Sequence, residues 1–259
     1  QIRANEIALK NGSVMNSGAA GYLYTLGLNE IKVHRKPKVC VIATGNELVS
    51  PGETLPEGKI YESNTYTLGT ALGSIGIDST ILKVEDDYDS TKKILETSFE
   101  EFDMVITTGG ISVGDYDFVG SALDDLGAKS IFYKVKQKPG KPLYFGKKDQ
   151  TFIFGLPGNP AAVLTCFYMY VIPGIRLMIG NSEPFLEKRR LSLKESYSKS
   201  KSLSHFLKAY VSDDEVLILN AQSSAMLSSF ASANSIVCLP EGKSDWAAGD
   251  KVDVYILPT

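Results

Sequence analysis

The sequence is poor in the residues that build covalent or soft-metal frameworks. Its 259 residues include three cysteines and two histidines. Cys40, Cys166 and Cys238 lie far apart, each inside an apolar string (VCVI, LTCFY, IVCLP). That spacing excludes a disulfide scaffold and a zinc knuckle, and it predicts buried thiols. No HExxH is present, so a His/Cys metal site is not expected and any metal would be held by carboxylates. A basic excess is also missing. Lys plus Arg is 27 against 30 for Asp plus Glu, a formal charge of −3. Duplex nucleic-acid binders carry a surplus of positive charge, so nucleic acid is not an expected partner. No repeat or low-complexity tract appears, and no signal-peptide pattern opens the chain. Residues 161–180 form the single long apolar run. It is interrupted by Pro173, Gly174 and Arg176 and preceded by Asn159-Pro160, a helix cap and a first-turn proline. A buried helix is expected there, not a membrane span.

What is present is ordinary globular composition, 43% hydrophobic and 22% charged. Residues 38–43 (KVCVIA) read as a strand buried on both faces. A helix follows over 64–75, capped by Ser63 or Asn64, and then a strand over 79–84. A second helix runs from an Asp89 or Ser90 cap to Phe102. DMVITT (103–108) is a third strand, and 117–126 a short helix. Shorter strands are expected at 129–135, 142–146 and 151–155. Strands alternating with helical segments predict an α/β fold, a doubly wound, mostly parallel sheet with helices on both faces. After residue 181 the pattern becomes short β runs (RLSLKESY, HFLKAYV, EVLILN, SIVCLP, KVDVYIL), which predict a small all-β barrel. The expected organisation is therefore 1–27 as the end of an upstream region, 28–180 as the α/β domain and 181–259 as the barrel.

Three glycine-rich turns follow predicted strands: ATGNEL (43–48), TTGGISVGDYD (107–117) and GLPGNPA (155–161). If those strands are parallel, the turns share the carboxyl edge, where open α/β sheets bind ligands. Glycine there lets backbone N–H groups approach an anion, and helix N-termini add a favourable dipole. Taken singly, each turn is better explained by tight-turn geometry; together they make Thr44, Gly45, Gly109, Gly110, Ser112, Gly114, Pro157 and Pro160 candidate ligand contacts. No GxxxxGK[ST] or GxGxxG is present, so P-loop and dinucleotide-binding signatures are excluded.

Acidic residues fall at the same edge. Asp86 and Asp89 are most simply helix caps. Glu47 and Asp117 are not needed as caps and are candidates to hold Mg²⁺, which takes one or two carboxylates beside substrate phosphate. In KVKQKPGKPLYF (134–145), Pro139-Gly140 forces a turn that would bring Lys138 and Lys141 onto one anion.

TGNEL, TTGGISVGDYD, KPGKP and GLPGNPAA, in that order and spacing, resemble the MoeA-type molybdopterin molybdenumtransferases, a family that includes the E domain of gephyrin. The resemblance covers essentially the whole chain and is most specific from Lys38 to Gly180. It implies a MogA-like α/β domain, a C-terminal barrel, a homodimer and a cytoplasmic setting. The implied reaction is Mg²⁺-dependent insertion of molybdate into adenylylated molybdopterin with release of AMP. Position by position, it implies functional roles for Glu47, Asp87 and Asp117, with Asp87 and Asp117 on the metal. It implies the same for Lys134, Lys138 and Lys141, and for Ser224 in the barrel. Where many members carry an arginine in the barrel, this chain has Lys208, which lacks the bidentate fork an oxyanion role would use. Two alternatives stay open. One is the preceding molybdopterin adenylyltransferase, a possible partner otherwise, which KPGKP with GLPGNP disfavours. The other is a non-enzymatic scaffold like gephyrin.

Overall fold

In a computed structural model of the chain, residues 2–110 and 118–258 are described. A short helix, α1 (Ser17–Thr25), precedes the α/β unit. The unit then runs β1 (Val39–Thr44), β2 (Leu48–Val49), β3 (Ile60–Tyr61), α2 (Asn64–Ser74), β4 (Ser79–Val84), α3 (Tyr88–Glu101) and β5 (Met104–Thr108). It continues with α4 (Phe118–Asp125), β6 (Lys129–Tyr133), β7 (Gln137–Lys138), β8 (Tyr144–Lys148) and β9 (Thr151–Leu156). One continuous helical segment closes it: α5 (Pro160–Cys166), a π-helical turn (Phe167–Val171) and α6 (Ile172–Met178).

The main sheet has the order β4-β1-β5-β9-β8-β6. The first four strands are parallel; β8 runs antiparallel to β9 and to β6. Alternation along β1 explains the two-sided core. Val39 and Val41 join Leu68 and Leu72 of α2 and Val163, Phe167 and Ile172 of α5 to α6. Cys40 and Ile42 face the other way, onto Leu95 of α3 and Val119 and Leu123 of α4. Every residue of β1 and β5 is buried, which is why their sequences are unbroken apolar runs, while the edge strands β4 and β6 are half exposed. In α3, Thr91, Leu95 and Ser98 make the buried stripe, so this mostly polar helix hangs on Leu95; truncation to Ala there costs about 2–5 kcal/mol.

The apolar run of 161–180 is the core helix. Ala161 to Phe167, Val171, Ile172 and Ile175 are all buried. Pro173 has no N–H for the carbonyl four residues back, and the ladder widens into the π turn just before it.

Several local details differ from expectation. Neither Ser63 nor Asn64 caps α2 through its side chain; buried Glu62 does so, accepting from Thr65 N at 2.9 Å and from the Thr65 hydroxyl. The cap of α3 is Asp87, whose carboxylate accepts from Ser90 N at 2.9 Å, so Asp86 and Asp89 are not caps. The strand expected at 129–135 ends at Tyr133 because Lys134 has φ +64, and the strand expected at 142–146 begins at Tyr144. Cys40 and Cys166 are buried, with thiols pushed up to about 12 by burial, whereas Cys238 is only half-buried.

The remaining strands are β10 (Lys188–Leu193), β11 (Tyr197–Ser198), β12 (Ser204–Ser212), β13 (Glu215–Ile218), β14 (Ser235–Leu239), β15 (Asp245–Trp246) and β16 (Lys251–Ile256). The order β13-β10-β16-β14-β12, with β12 pairing back to β13, closes a five-stranded barrel. Leu191, Leu193, Leu207, Val216, Val237, Val252 and Val254 fill it. One strand crosses the domain line: β7 adds in parallel to β12, Gln137 beside Ser204 and Lys138 beside His205.

Candidate functional site at the sheet edge

Because β1, β4, β5 and β9 are parallel, their C-terminal ends share one edge, carrying Thr44-Gly45, Asp86-Asp87, Gly109-Gly110 and Pro157-Gly158. The register extends that edge. Tyr144 at the start of β8 lies opposite Gly155, and Tyr133 at the end of β6 lies opposite Tyr144. The segment 134–143, with KPGKP, therefore leaves from the same edge. After β1 the chain goes outward to β4 and then crosses back to β5, so the strand order reverses between β1 and β5, the position at which open sheets form their ligand crevice.

The crevice is close-packed. An atom placed as Cβ on Gly110 (φ +65) would sit 2.7 Å from Thr44 Oγ1 and 2.6 Å from Val119 Cγ2, so only glycine fits. Thr44 Oγ1, Thr107 Oγ1 and Asn64 Oδ1 are buried without hydrogen-bond partners among the described residues. Asn64 Nδ2 donates to Gly158 O at 2.8 Å, tying the start of α2 to the GLPGNP turn. Sequence reasoning missed Asn64 as a site residue and read it only as a helix cap; its unsatisfied carbonyl oxygen emerges only when α2 and the β9 turn are brought together.

At the β4/β1 end, Glu47 folds back over Gly45, its carboxylate about 3 Å from where a Cβ would stand. Asn46 Oδ1 accepts from Asp86 N at 3.1 Å, joining the two turns. Burial, Glu47 and Asp87 together raise the Asp86 pKa above the ordinary aspartate value. Asp87 is lowered, chiefly by the Ser90 backbone N–H it caps. Asp86 thus feels both neighbouring carboxylates. Ser112, Gly114, Asp115 and Asp117 lie outside the described residues. Among the described residues no group of three or more His, Cys, Asp or Glu has metal-binding geometry.

At the other end Lys134, Lys138 and Lys141 are all exposed. Lys134 Nζ lies 4.8 Å from the Tyr133 ring centre. The turn itself is fixed from below: Val135 N donates to Lys141 O and Lys134 N to Leu143 O, each at 2.9 Å. The barrel supplies the remaining wall. Asn159 Nδ2 donates to Ser224 Oγ at 3.1 Å, and Ser224 O accepts from Ala161 N at 2.9 Å and Ala162 N at 3.3 Å. Pro160 has no N–H, so the first amides of α5 are already occupied, and this helix start offers a ligand no free donor. The dipole expected of GLPGNP is thus used to dock the barrel. Lys208 is buried and donates to Ala221 O (2.7 Å), Met226 O (3.0 Å) and Ser223 O (3.3 Å). All three of its protons are used, so it organises the loop that carries Ser224 and has no donor left for an oxyanion.

Adjacent strands are about 4.8 Å apart, so the three to five spacings between the acidic and basic ends correspond to about 14–24 Å. That exceeds the screening length of about 8 Å at physiological ionic strength. The carboxylates and lysines therefore do not neutralise each other, and a ligand touching both must be elongated. A cavity of 520 Å³ elsewhere, along the seam of α2 and α5, is lined by Tyr66, Leu164, Tyr168 and Pro258 with small polar residues and has no charged group for such a ligand.

A doubly wound sheet with a glycine-lined carboxyl edge, followed by a closed barrel that docks on that edge, defines the architectural class. Two family descriptions match consecutive stretches: "Probable molybdopterin binding domain" over residues 40–177 and "MoeA C-terminal region (domain IV)" over residues 190–257. The chain is 34% identical over 261 aligned residues to the molybdopterin molybdenumtransferase of Staphylococcus aureus, covering 99% of this chain and 62% of that protein. The Staphylococcus epidermidis counterpart is 33% identical with the same coverage. Among solved structures, a molybdopterin biosynthesis MoeA protein from Pyrococcus horikoshii superposes with a TM-score of 0.82 at 30% identity, over 96% of this chain and 61% of that one. This chain belongs to the MoeA-type family of molybdenum cofactor biosynthesis. It spans about three fifths of the length of these relatives.

Proposed function

We propose that this chain carries the substrate-holding edge of a molybdopterin molybdenumtransferase, which inserts molybdate into adenylylated molybdopterin and releases AMP. The observation that carries the reading is one glycine-lined edge with carboxylates on the turns after β1 and β4 and lysines on the excursion between β6 and β8. Molybdopterin-adenylate is elongated and anionic, with the pterin at one end, the adenosine at the other, and the dithiolene that receives the metal between them. In this reading the pterin lies along the β1/β5 crevice, which opens to admit it, so that Thr44 Oγ1 and Asn64 Oδ1, without partners among the described residues, accept from ring N–H groups. Lys138 and Lys141, with Lys134 beside them, hold the molybdate dianion near the dithiolene; two ammonium groups on one small dianion exceed what either provides alone.

The proposal includes Mg²⁺ at the acidic end. The donor set suits a hard cation, being carboxylate oxygen throughout. Asp86, its pKa raised first by burial and then by Glu47 and Asp87, adds negative charge that a cation would offset. Glu47 and Asp87, with Asp117, are the proposed ligands; bound there, Mg²⁺ would offset charge on the adenylate phosphate as AMP leaves. Asp87 keeps one oxygen on the Ser90 N–H, which orients the other. The acting form in this proposal is a cytoplasmic homodimer that receives its substrate from an adenylyltransferase and engages neither nucleic acid nor membrane.

The test is AMP release from molybdopterin-adenylate as a function of molybdate, for wild type, Lys138→Ala, Lys141→Ala and the double variant. Each single change is expected to raise the molybdate requirement at least tenfold, with the double little worse than either single, because one site loses its function once. Small additive effects, or an unchanged molybdate dependence, would assign these lysines to the solvated surface.

A further inference from the structure

The lysine turn stands on a buried polar strut that touches no expected ligand. Gln137 is 2% exposed, directly before Lys138. Its Nε2 donates to Pro139 O at 3.1 Å and to Gly140 O at 3.4 Å, and lies 3.7 Å from Cys166 Sγ. Its Oε1 accepts from the Tyr170 hydroxyl. Gly140 (φ +88) is pressed onto this layer: a Cβ there would lie 2.5 Å from Cys166 Sγ and 2.8 Å from Gln137 Nε2. Cys166 and Tyr170 stand one turn apart, Tyr170 within the π-helical turn.

The amide can face only one way. Two carbonyl oxygens on one side require the NH₂ group there, so the carbonyl oxygen must meet a donor on the other. Tyr170 remains that donor, since burial, with smaller contributions from Cys166, Cys238 and Tyr255, pushes its hydroxyl up to about 12. The arrangement fixes the Pro139 and Gly140 peptides, and through them the directions in which Lys138 and Lys141 leave the turn. The same Gln137 lies in β7, beside Ser204 of the barrel.

We infer that Gln137 and Tyr170 are positioning residues for the oxyanion-holding lysines, setting affinity for molybdate without touching it. The inference rests on the functional reading of Lys138 and Lys141 given above.

The experiment measures molybdate binding to the full chain by calorimetry for wild type, Lys138→Ala, Tyr170→Phe, Gln137→Met and Gln137→Glu, with hydrogen exchange of the 134–143 peptides on the same samples. Tyr170→Phe and Gln137→Met are expected to weaken molybdate binding about tenfold and to speed exchange in 134–143, with barrel peptides unchanged. Gln137→Glu matches the side chain in size but turns a carboxylate toward two carbonyl oxygens. It should bind more weakly than Gln137→Met at neutral pH and recover as the pH falls and the carboxyl gains a proton to donate. A role in packing alone predicts the reverse order and no recovery. Tyr170→Phe removes one oxygen and keeps the ring, so it decides the case if the Gln137 variants do not fold. If Lys138→Ala weakens binding while Tyr170→Phe leaves both affinity and exchange unchanged, the positioning role is overturned and the lysine reading stands. If wild type does not bind molybdate, or Lys138→Ala binds as tightly as wild type, the lysine reading fails, and this inference with it.

Discussion

At the acidic end of the edge, Glu47, Asp86 and Asp87 ride on turns that directly follow β1 and β4, two strands in register over six residue pairs. At the basic end, Lys138 lies in β7, a two-residue strand that belongs to the barrel sheet, while Lys134 and Lys141 sit on the excursion that carries it there. The acidic end is built by one domain and held by strand register. The basic end is shared by two domains and held by backbone bonds of Lys134 and Val135, by the pairing of β7 with β12, and by the side chains of Gln137 and Tyr170. Charge on a strand-end turn is placed by the sheet itself; charge on a crossover loop needs polar struts, and each strut becomes a point of failure.

The largest effect is expected where the basic end depends on the barrel. Lys208→Met keeps the length of the side chain but removes the charged donor shared by the carbonyls of Ala221, Ser223 and Met226, of which Ala221 keeps only the Ser229 hydroxyl. Losing the charge-assisted hydrogen bonds of this buried ammonium should cost about 1.5–3 kcal/mol in urea unfolding. The loop that caps α5 through Ser224 should loosen, visible as faster exchange at Ala161 and Ala162. Unchanged protection there would detach Lys208 from the docking of the two domains.

An intermediate effect is expected between the acidic and basic ends, in the crevice. Gly110→Ala forces a left-handed backbone and two contacts under 3 Å. A loss of about 1–3 kcal/mol in a thermal melt is expected, with ligand affinity falling further than stability alone explains. A variant as stable as wild type would mean that the crevice opens freely.

The smallest effect tests the acidic end. Asp86 is partly exposed and its pKa is raised by burial first, then by Glu47 and Asp87. A raised folded-state carboxyl penalises the ionised form, so the penalty is absent below the ordinary aspartate pKa and complete above the raised one. Asp86→Asn should therefore stabilise the protein slightly at neutral pH, by less than about 1 kcal/mol after solvent screening, and not at all near pH 3. Asp87→Ala should act oppositely. Its lowered pKa contributes stability that is present above the ordinary value and lost as pH falls through the lowered one, so the deficit of the variant should shrink in acid. Urea midpoints across pH 3–7 separate the two; parallel curves for both variants would show that the carboxylates do not interact.

The candidate site was only partly legible in the sequence, and the boundary follows the same division. Strand-end turns announce themselves, because an apolar run followed by glycine reads as a buried strand and its exit. Thr44, Glu47, Gly109 and Gly110 were found that way. Asn64, Gln137 and Tyr170 gave no such signal: their neighbours on the edge lie 94, 29 and 33 residues away in the chain. Asp87 shows the opposite error, a helix cap placed on its neighbours because helix starts read from sequence slip by one or two residues.

By itself the sequence determined the doubly wound sheet, the C-terminal barrel and the family, since periodicity, breakers and ordered motifs are local properties of the chain. Only the tertiary structure decided which polar groups stay free. The amides at the start of α5 are spent on Ser224, and the three protons of Lys208 on loop carbonyls, while Thr44 and Asn64 keep oxygens in the crevice that have no partner among the described residues. The physical reason is that a donor or acceptor is consumed by whatever the fold brings within about 3 Å of it, and no local pattern records that distance.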